Sequence, residues 1–386
     1  MATVKRRAWR TAKGERKEAW RVRYIDQHGV TRTRQFDLKR DAEAYRVKAE
    51  SEVLYGTHTA DSVSITVREA ADLWISTAQG NRLDAGTIKS YRELARLHVV
   101  PLIGSEKLSR LTQPKVVAFA DALKATRSLA MTSKAVRALS MILADAMRRG
   151  LVAQNVARGV TVARSSRDKS RATPPPVEHL KALLQAADRL CNSDPEMPVM
   201  VRLAMLAGPR QSELRAFVWP HIDLGTGEVQ VTQRADRWNA IGPPKSAAGT
   251  RSIPIGPALV SALKAWKLRS PPNPLNLVFP GRAGAVLKQH TMGDKFLRLQ
   301  IEAALAIDTG KRDASGETVW AARYGWHDLR HAAASAWIAQ GVDLKRLQVW
   351  IGHENIQLTL DTYGHLIKDA KKDAELASGS EAMLLA

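Results

Sequence analysis

The chain has 386 residues, which suggests two or three domains rather than one, and 45% of them are hydrophobic, which excludes wholesale disorder. A single cysteine, Cys191, rules out an intrachain disulfide and a cysteine-built zinc site. No run of about eighteen uncharged apolar residues is present, and the basic N-terminus has no apolar segment of a secretory signal. The expectation is a soluble protein of a reducing compartment with no membrane partner. Lys and Arg total 59 against 38 Asp and Glu, a net charge of +21 and a pI near 10.3. Such an excess points to a polyanion, nucleic acid first, ahead of a merely solubilising charge or a membrane surface.

The charge is uneven. Residues 1–60 carry +7, residues 61–172 carry +10, and the rest only +4. The two front segments therefore read as DNA grips and the balanced remainder as a catalytic body.

In residues 1–60, Ala19–Ile25 alternates, with Trp20, Val22 and Tyr24 on one face and Arg21 and Arg23 on the other. A turn at Asp26-Gln27-His28-Gly29 leads to a second strand, Thr31–Phe36, in which Arg32 and Arg34 share parity with Phe36. A helix over Leu38–Leu54 completes a small sheet-plus-helix domain. Its arginines suit a major groove, since a two-stranded ribbon fits there; a solvated basic face is the bland alternative.

Gly56–Ser64 reads as a linker, and residues 65–160 as a helical domain. Thr66 and Glu69 form a capping-box pattern. Thr87 is placed to cap a helix that Pro101 and Gly104 end, Pro114 opens the next, and Thr132 or Ser133 caps the run to Arg149. Lys89, Arg92, Lys134 and Arg137 are the basic side chains expected on a duplex backbone. Residues 161–176 end in three prolines and read as a connector. Residues 177–386 mix helices with short strands at Val229–Arg234 and Ser252–Ile255.

Three patterns in this last segment carry chemistry. In Ala207-Gly208-Pro209-Arg210-Gln211-Ser212-Glu213-Leu214, Arg210 falls at a loop–helix junction, with Glu213 three residues on to hold the guanidinium. In His327-Asp328-Leu329-Arg330-His331, spacings of three and four put His327, Arg330 and His331 on one helix face. Arginine suits phosphate, because its planar fork donates two bonds and stays charged. Zinc would need a further ligand that the spacing does not supply. The third pattern runs from Gly352-His353 to Tyr363. A phenol is a poor nucleophile at its usual pKa unless cations and donors lower the cost of the phenolate.

Taken together, these boxes resemble the Arg…His-x-x-Arg…Gly-His…Tyr signature of the tyrosine recombinases, the phage integrases. WIGHENIQLTLDTYGHL and WHDLRHAAASAWIAQGVDL carry the resemblance, over roughly residues 175–370. One departure is Pro209, where Leu or Met is usual; proline restricts Gly208 but leaves Arg210 free.

The resemblance implies a multidomain, mainly α fold with small β-sheets. An arm-site-binding domain (1–60), a helical core-site-binding domain (65–160) and a mixed α/β catalytic domain with a C-terminal tail (177–386) are expected. It also implies a lysine on a β-hairpin, matched by Lys245 in Pro244–Ile255, with Lys288 and Lys295 as fallbacks. Tyr363 would attack DNA to form a 3′-phosphotyrosyl bond, Arg210 and Arg330 would clamp phosphate, and Lys245 would protonate the leaving 5′-oxygen. His327 would serve as acid/base beside the phenol and His353 as a phosphate donor, with Glu213 orienting the first box. No cofactor is implied. The implied partners are double-stranded DNA at core and arm sites, a homotetramer, and accessory bending and directionality factors, in the cytoplasm of a bacterial host. The tail reads as a helix at Ile367–Leu376 followed by a Ser-Gly-Ser break, and its apolar end, Glu381–Ala386, would dock into a neighbouring protomer or fray. A type IB topoisomerase, a DNA-binding protein without catalysis and a basic RNA-binding protein are the competing readings.

Overall fold

In the computed structural model the described residues are 2–10, 12, 16–26, 29–56, 58, 60–61, 63–162 and 173–366, with scattered positions in the tail. Gln27 and His28 of the expected turn, most of the connector and most of the Ile367–Leu376 helix lie outside them. The chain forms two compact units, Met1–Lys169 and Ser170–Ala386.

The first unit contains two separate apolar cores. In the smaller, β1 (Thr3–Arg10), β2 (Arg16–Ile25) and β3 (Thr31–Phe36) form an antiparallel sheet in that order. The helix α1 (Lys39–Leu54) follows. Val4, Trp20, Val22, Tyr24 and Phe36 face Ala42, Tyr45 and Ala49 of α1. The sequence reading has no β1, because TVKRRAWR puts charge on both faces and shows no alternation. Register fixes the other face: Lys5 pairs with Arg21, Arg7 with Ala19 and Thr3 with Arg23.

The larger core is helical. α2 (Val67–Gly80) opens on the Thr66–Glu69 capping box. α3 (Ala85–Leu94) is capped by Asp84, whose carboxylate accepts the Gly86 amide, so Thr87 stands in the first turn instead of before it. Pro101 does not end this helix. A π-turn at Ala95–Val99 widens it, and α4 (Val100–Ile103) continues to Gly104 with the proline in its first turn, where no amide is needed. α5 (Gln113–Lys124) carries Pro114 in its first turn. α6 (Leu129–Arg148) starts four or five residues earlier than a cap at Thr132 or Ser133 predicts. Ser128 caps it, and Thr132 is buried, donating to the Ser128 carbonyl. Trp74 of α2 stacks on Tyr91 of α3 over this core.

The second unit is built around α8 (Met197–Ala207), whose sequence MPVMVRLAMLA is apolar on nearly every side and is buried accordingly. α7 (Val177–Arg189) precedes it and the single turn α9 (Gln211–Leu214) follows. β4 (Ile222–Asp223), β5 (Glu228–Val231) and β8 (Arg251–Pro254) make an antiparallel sheet. Between β5 and β8 lies a small hairpin of β6 (Arg234–Ala235) and β7 (Ile241–Gly242). α10 (Pro257–Arg269) and α11 (Gln289–Glu302) close the core. The exposed hairpin β9 (Ile307–Arg312) and β10 (Thr318–Ala321) is absent from the sequence reading. α12 (Trp326–Ala339) packs on α8, and α13 (Leu344–Ile351) and α14 (Ile356–Tyr363) follow. No described helix is long and apolar enough to cross a membrane.

Candidate active site

Two left-handed glycines create the site. Gly208 caps α8 at φ 57° and Gly352 caps α13 at φ 68°, conformations that favour glycine. Their helices end with carbonyls turned toward one place, and arginines collect there. Arg330 of α12, nearly wholly buried, donates to the Gly208 carbonyl at 2.9 Å and to the Ile351 carbonyl. Arg210 donates to the Gly352 carbonyl at 2.8 Å. A Cβ on Gly352 would lie 2.9 Å from the Ala248 carbonyl oxygen and 3.0 Å from Arg251, so close approach adds to the conformational requirement.

Pro209 leaves the first box intact. It is buried at the bend, and Arg210 keeps its place just before α9 with extended backbone angles. Glu213 accepts the Arg210 amide at 2.7 Å and its guanidinium at 2.8 Å. The same carboxylate takes two bonds from Arg251, at 3.1 and 2.9 Å. Burial by itself raises a carboxyl, but the Arg251 bonds and the charges of Arg251, Arg210 and Arg330 outweigh it and hold Glu213 at about 2.

Arg251 is the residue that sequence reasoning missed as an organiser. Its side chain is only 1% exposed. It also donates to the Trp350 carbonyl at 2.7 Å and the Gly249 carbonyl at 2.9 Å, so it ties the β5–β8 hairpin to the first box and to the turn before His353. The signal was parity, since Arg251 shares the inward face of β8 with Ile253. Arg215, also buried, fixes the β6–β7 hairpin through the Asp236 and Leu287 carbonyls and Asn239. Lys245 lies between these anchors and is exposed. Among the described residues no hydrogen bond or ion pair ties it to the other five. Lys288 precedes α11, and Lys295 is engaged by Asp194 and Glu196.

Tyr363 ends α14 and is 1% exposed, packed with Ala334, Leu347 and Ile351. Its ring lies parallel to His353 at 6.3 Å and edge-on to His331 at 5.6 Å. The phenol hydrogen-bonds the Nδ1 of His331 at 2.8 Å, so the histidine on the phenol is His331 rather than the expected His327. Burial pushes the phenol up to about 12, against the pull of Arg330. His353 shares a hydrogen bond between Nδ1 and the buried Thr359 hydroxyl at 2.9 Å. Burial, with the Arg330 and Arg210 charges behind it, pushes His353 down to about 4. His327 is likewise at about 4, through burial and then His331 and Arg330. Burial also pushes Arg330 down, with Arg210 acting the same way, though far from far enough to discharge it at neutral pH. Five of the six expected residues thus converge: Arg210, His327, Arg330, His353 and Tyr363.

The expected DNA-contact residues divide. Arg21 and Arg23 lie on the open face of the first sheet, opposite α1, beside Lys5 and Arg7. Arg32 and Arg34 lie on the other face: Arg32 pairs with Asp26 at 2.8 Å, and Arg34 stacks over Phe36 and Tyr45. In the helical domain Lys89 reaches Glu93 at 3.9 Å, and Arg92 lines a cavity of about 610 Å³ with Arg68 and Arg96. Lys134 and Arg137 are exposed on α6.

Known proteins resemble the chain along most of this length. An integrase of Streptomyces ambofaciens is 25% identical over 78% of this chain and 77% of its own. A tyrosine recombinase XerC of Xanthomonas axonopodis pv. citri (strain 306) is 27% identical over 59% and 72%. In fold, the Tn1549 transposon integrase, solved with a circular intermediate DNA, matches 83% of this chain and 100% of that chain, with a TM-score of 0.66 and 18% identity. A lambda integrase tetramer bound to a Holliday junction matches 90% of this chain and 95% of that chain at a TM-score of 0.58 and 17% identity.

The chain is thus a tyrosine-type site-specific DNA recombinase with a multidomain, mainly helical fold. Residues 176–369 match the phage integrase family, and the chain belongs to that family.

Proposed function

We propose that this recombinase cleaves and rejoins DNA through Tyr363, in steps that need neither metal nor nucleotide. One observation carries the assignment: the Tyr363 phenol sits against His331 and His353 within the knot where Arg210 and Arg330 bind adjacent backbone carbonyls of residues 351 and 352. Each guanidinium has five N–H donors, so those not held by carbonyls and Glu213 can meet the nonbridging oxygens of a scissile phosphate and offset transition-state charge. Tyr363 attacks that phosphate, forming a 3′-phosphotyrosyl bond and releasing a 5′-hydroxyl. Lys245, on its exposed segment, supplies the proton to the 5′-oxygen. His353, oriented by Thr359, donates to phosphate, while Glu213 and Arg251 keep Arg210 in register. The covalent bond conserves phosphodiester energy, so a 5′-hydroxyl from a second duplex reverses the step. Two rounds through a Holliday junction exchange strands, with four protomers on DNA, one per cut strand.

The remaining segments supply DNA binding. Residues 1–60 take arm sites through Lys5, Arg7, Arg21 and Arg23, and residues 65–160 take the core site through exposed cations such as Lys134 and Arg137. Residues 161–176 connect these to the catalytic domain, 177–386. The work takes place in the cytoplasm of a bacterial host, with bending and directionality factors as further partners.

The test is a nicked suicide duplex bearing a core site selected by binding from a random pool, incubated with protein in EDTA. A covalent adduct on a denaturing gel is expected. Tight binding without an adduct contradicts the catalytic assignment, and an adduct that requires added metal contradicts the metal-free steps.

A further inference from the structure

A phenol that attacks phosphorus must lose its proton, and no residue in the proposed cleavage step above receives it. The family-based expectation gives that task to His327, yet the structure puts another histidine on the oxygen. His331 stands one turn along α12 from His327, its ring edge-on to His327 at 4.7 Å. Its Nδ1 and the Tyr363 hydroxyl share a 2.8 Å hydrogen bond. The other two histidines are differently engaged. His353 spends its Nδ1 on Thr359, and among the described residues no hydrogen bond joins His327 to the phenol.

We propose that His331 is a further catalytic residue, the acceptor of the Tyr363 proton during cleavage and its donor during rejoining. The inference rests on Tyr363 being the nucleophile. The groups that bear on His331 are Asp328 and Arg330 of its own helix, His327 beside it, and Tyr363 from across the site. Burial lowers the His331 imidazole from its ordinary value, Asp328 pulls it back up, and Arg330 lowers it again. It is therefore neutral near pH 7, with a lone pair available on the nitrogen that meets the phenol when the other nitrogen carries the hydrogen.

The step balances. The bond from Tyr363 Oη to phosphorus forms and the bond from phosphorus to the 5′-oxygen breaks. The phenol proton passes to His331 Nδ1, and the 5′-oxygen takes its proton from Lys245. In the reverse direction the imidazolium returns the proton as the phenolate leaves. Neutral His331 also suits the resting state, because an uncharged pair can stay buried where a phenolate–imidazolium pair is costly.

Leaving-group chemistry separates this role from its neighbours. Single-turnover adduct formation is measured on the suicide duplex and on one with a bridging 5′-sulfur at the scissile phosphate, whose thiolate departs without an acid. His331→Gln is expected to cut both duplexes about 10²- to 10⁴-fold more slowly at unchanged duplex affinity. Lys245→Ala is slow on the oxygen duplex alone, and free imidazole restores part of the rate to His331→Ala. Rescue of His331→Gln by sulfur would move the residue to the leaving-group side and overturn the proposal. So would a rate within about tenfold of the unsubstituted protein. If His331→Gln binds DNA poorly, the unsubstituted protein decides: its rate on the sulfur duplex must fall as pH drops through the imidazole range, and a flat profile refutes the role. Absence of any adduct with unsubstituted protein, or its persistence in Tyr363→Phe, identifies instead a failure of the nucleophile assignment.

Discussion

Replacing Glu213 by glutamine removes one negative charge from a place where two arginines converge, one of them almost wholly buried. The carboxyl is held at about 2 against an ordinary 4.5. At about 1.4 kcal/mol per pH unit, this corresponds to roughly 3 kcal/mol of stability. The independent expectation for breaking a buried ion pair by deleting one partner is about 3–5 kcal/mol, because Arg251 is left uncompensated. A depressed carboxyl contributes its stability above the unfolded value and loses it as pH falls through the folded one. The difference between the two proteins is therefore full at pH 7 and shrinks between pH 4.5 and 2. For a unit of this size, about 3 kcal/mol lowers Tm by roughly 6–12 °C. Thermal unfolding of both full-length chains across that pH range is the assay. A deficit below about 1 kcal/mol at pH 7, or one that persists undiminished near pH 2, would show that Glu213 does not hold these arginines as an ionised carboxylate. Because Glu213 also aligns Arg210, adduct formation falls with stability, and it falls further than duplex affinity does.

Gly352→Ala places a Cβ 2.9 Å from the Ala248 carbonyl in a left-handed conformation, and is expected to cost about 1–3 kcal/mol by denaturant unfolding and to depress cleavage. Arg21→Ala and Arg23→Ala each lower arm-site affinity and reduce the salt-dependence slope by about 1 in a binding titration. Arg34→Ala, which loses its stacking on Phe36 and Tyr45, changes unfolding more than it changes that slope.

The three sequence boxes are legible because each candidate side chain in them sits at a fixed offset from a helix end. Arg210 opens α9 with Glu213 one turn on, and His327 and Arg330 share a face of α12. What escaped notice depends on partners distant in sequence. Arg251 and Arg215 look like ordinary surface arginines until the fold buries them against carbonyls 72 to 99 residues away. His331 is visible beside Arg330, but its bond to Tyr363 spans 32 residues. At the local level, β1 escaped because its two faces are equally charged, and Pro101 misled because a π-turn upstream accommodates it. Parity in β3 put Arg32 and Arg34 with Phe36, and pairing with β2 then turns them toward α1, away from Arg21 and Arg23.

Under the proposed function, Tyr363 makes the covalent bond to DNA. Protease digestion of the trapped adduct, followed by mass spectrometry of the nucleotide-bearing peptide, reads this directly. An oligonucleotide is expected on the peptide containing Tyr363 and none in Tyr363→Phe. An adduct at any other residue, or an undiminished one in that variant, would contradict that assignment.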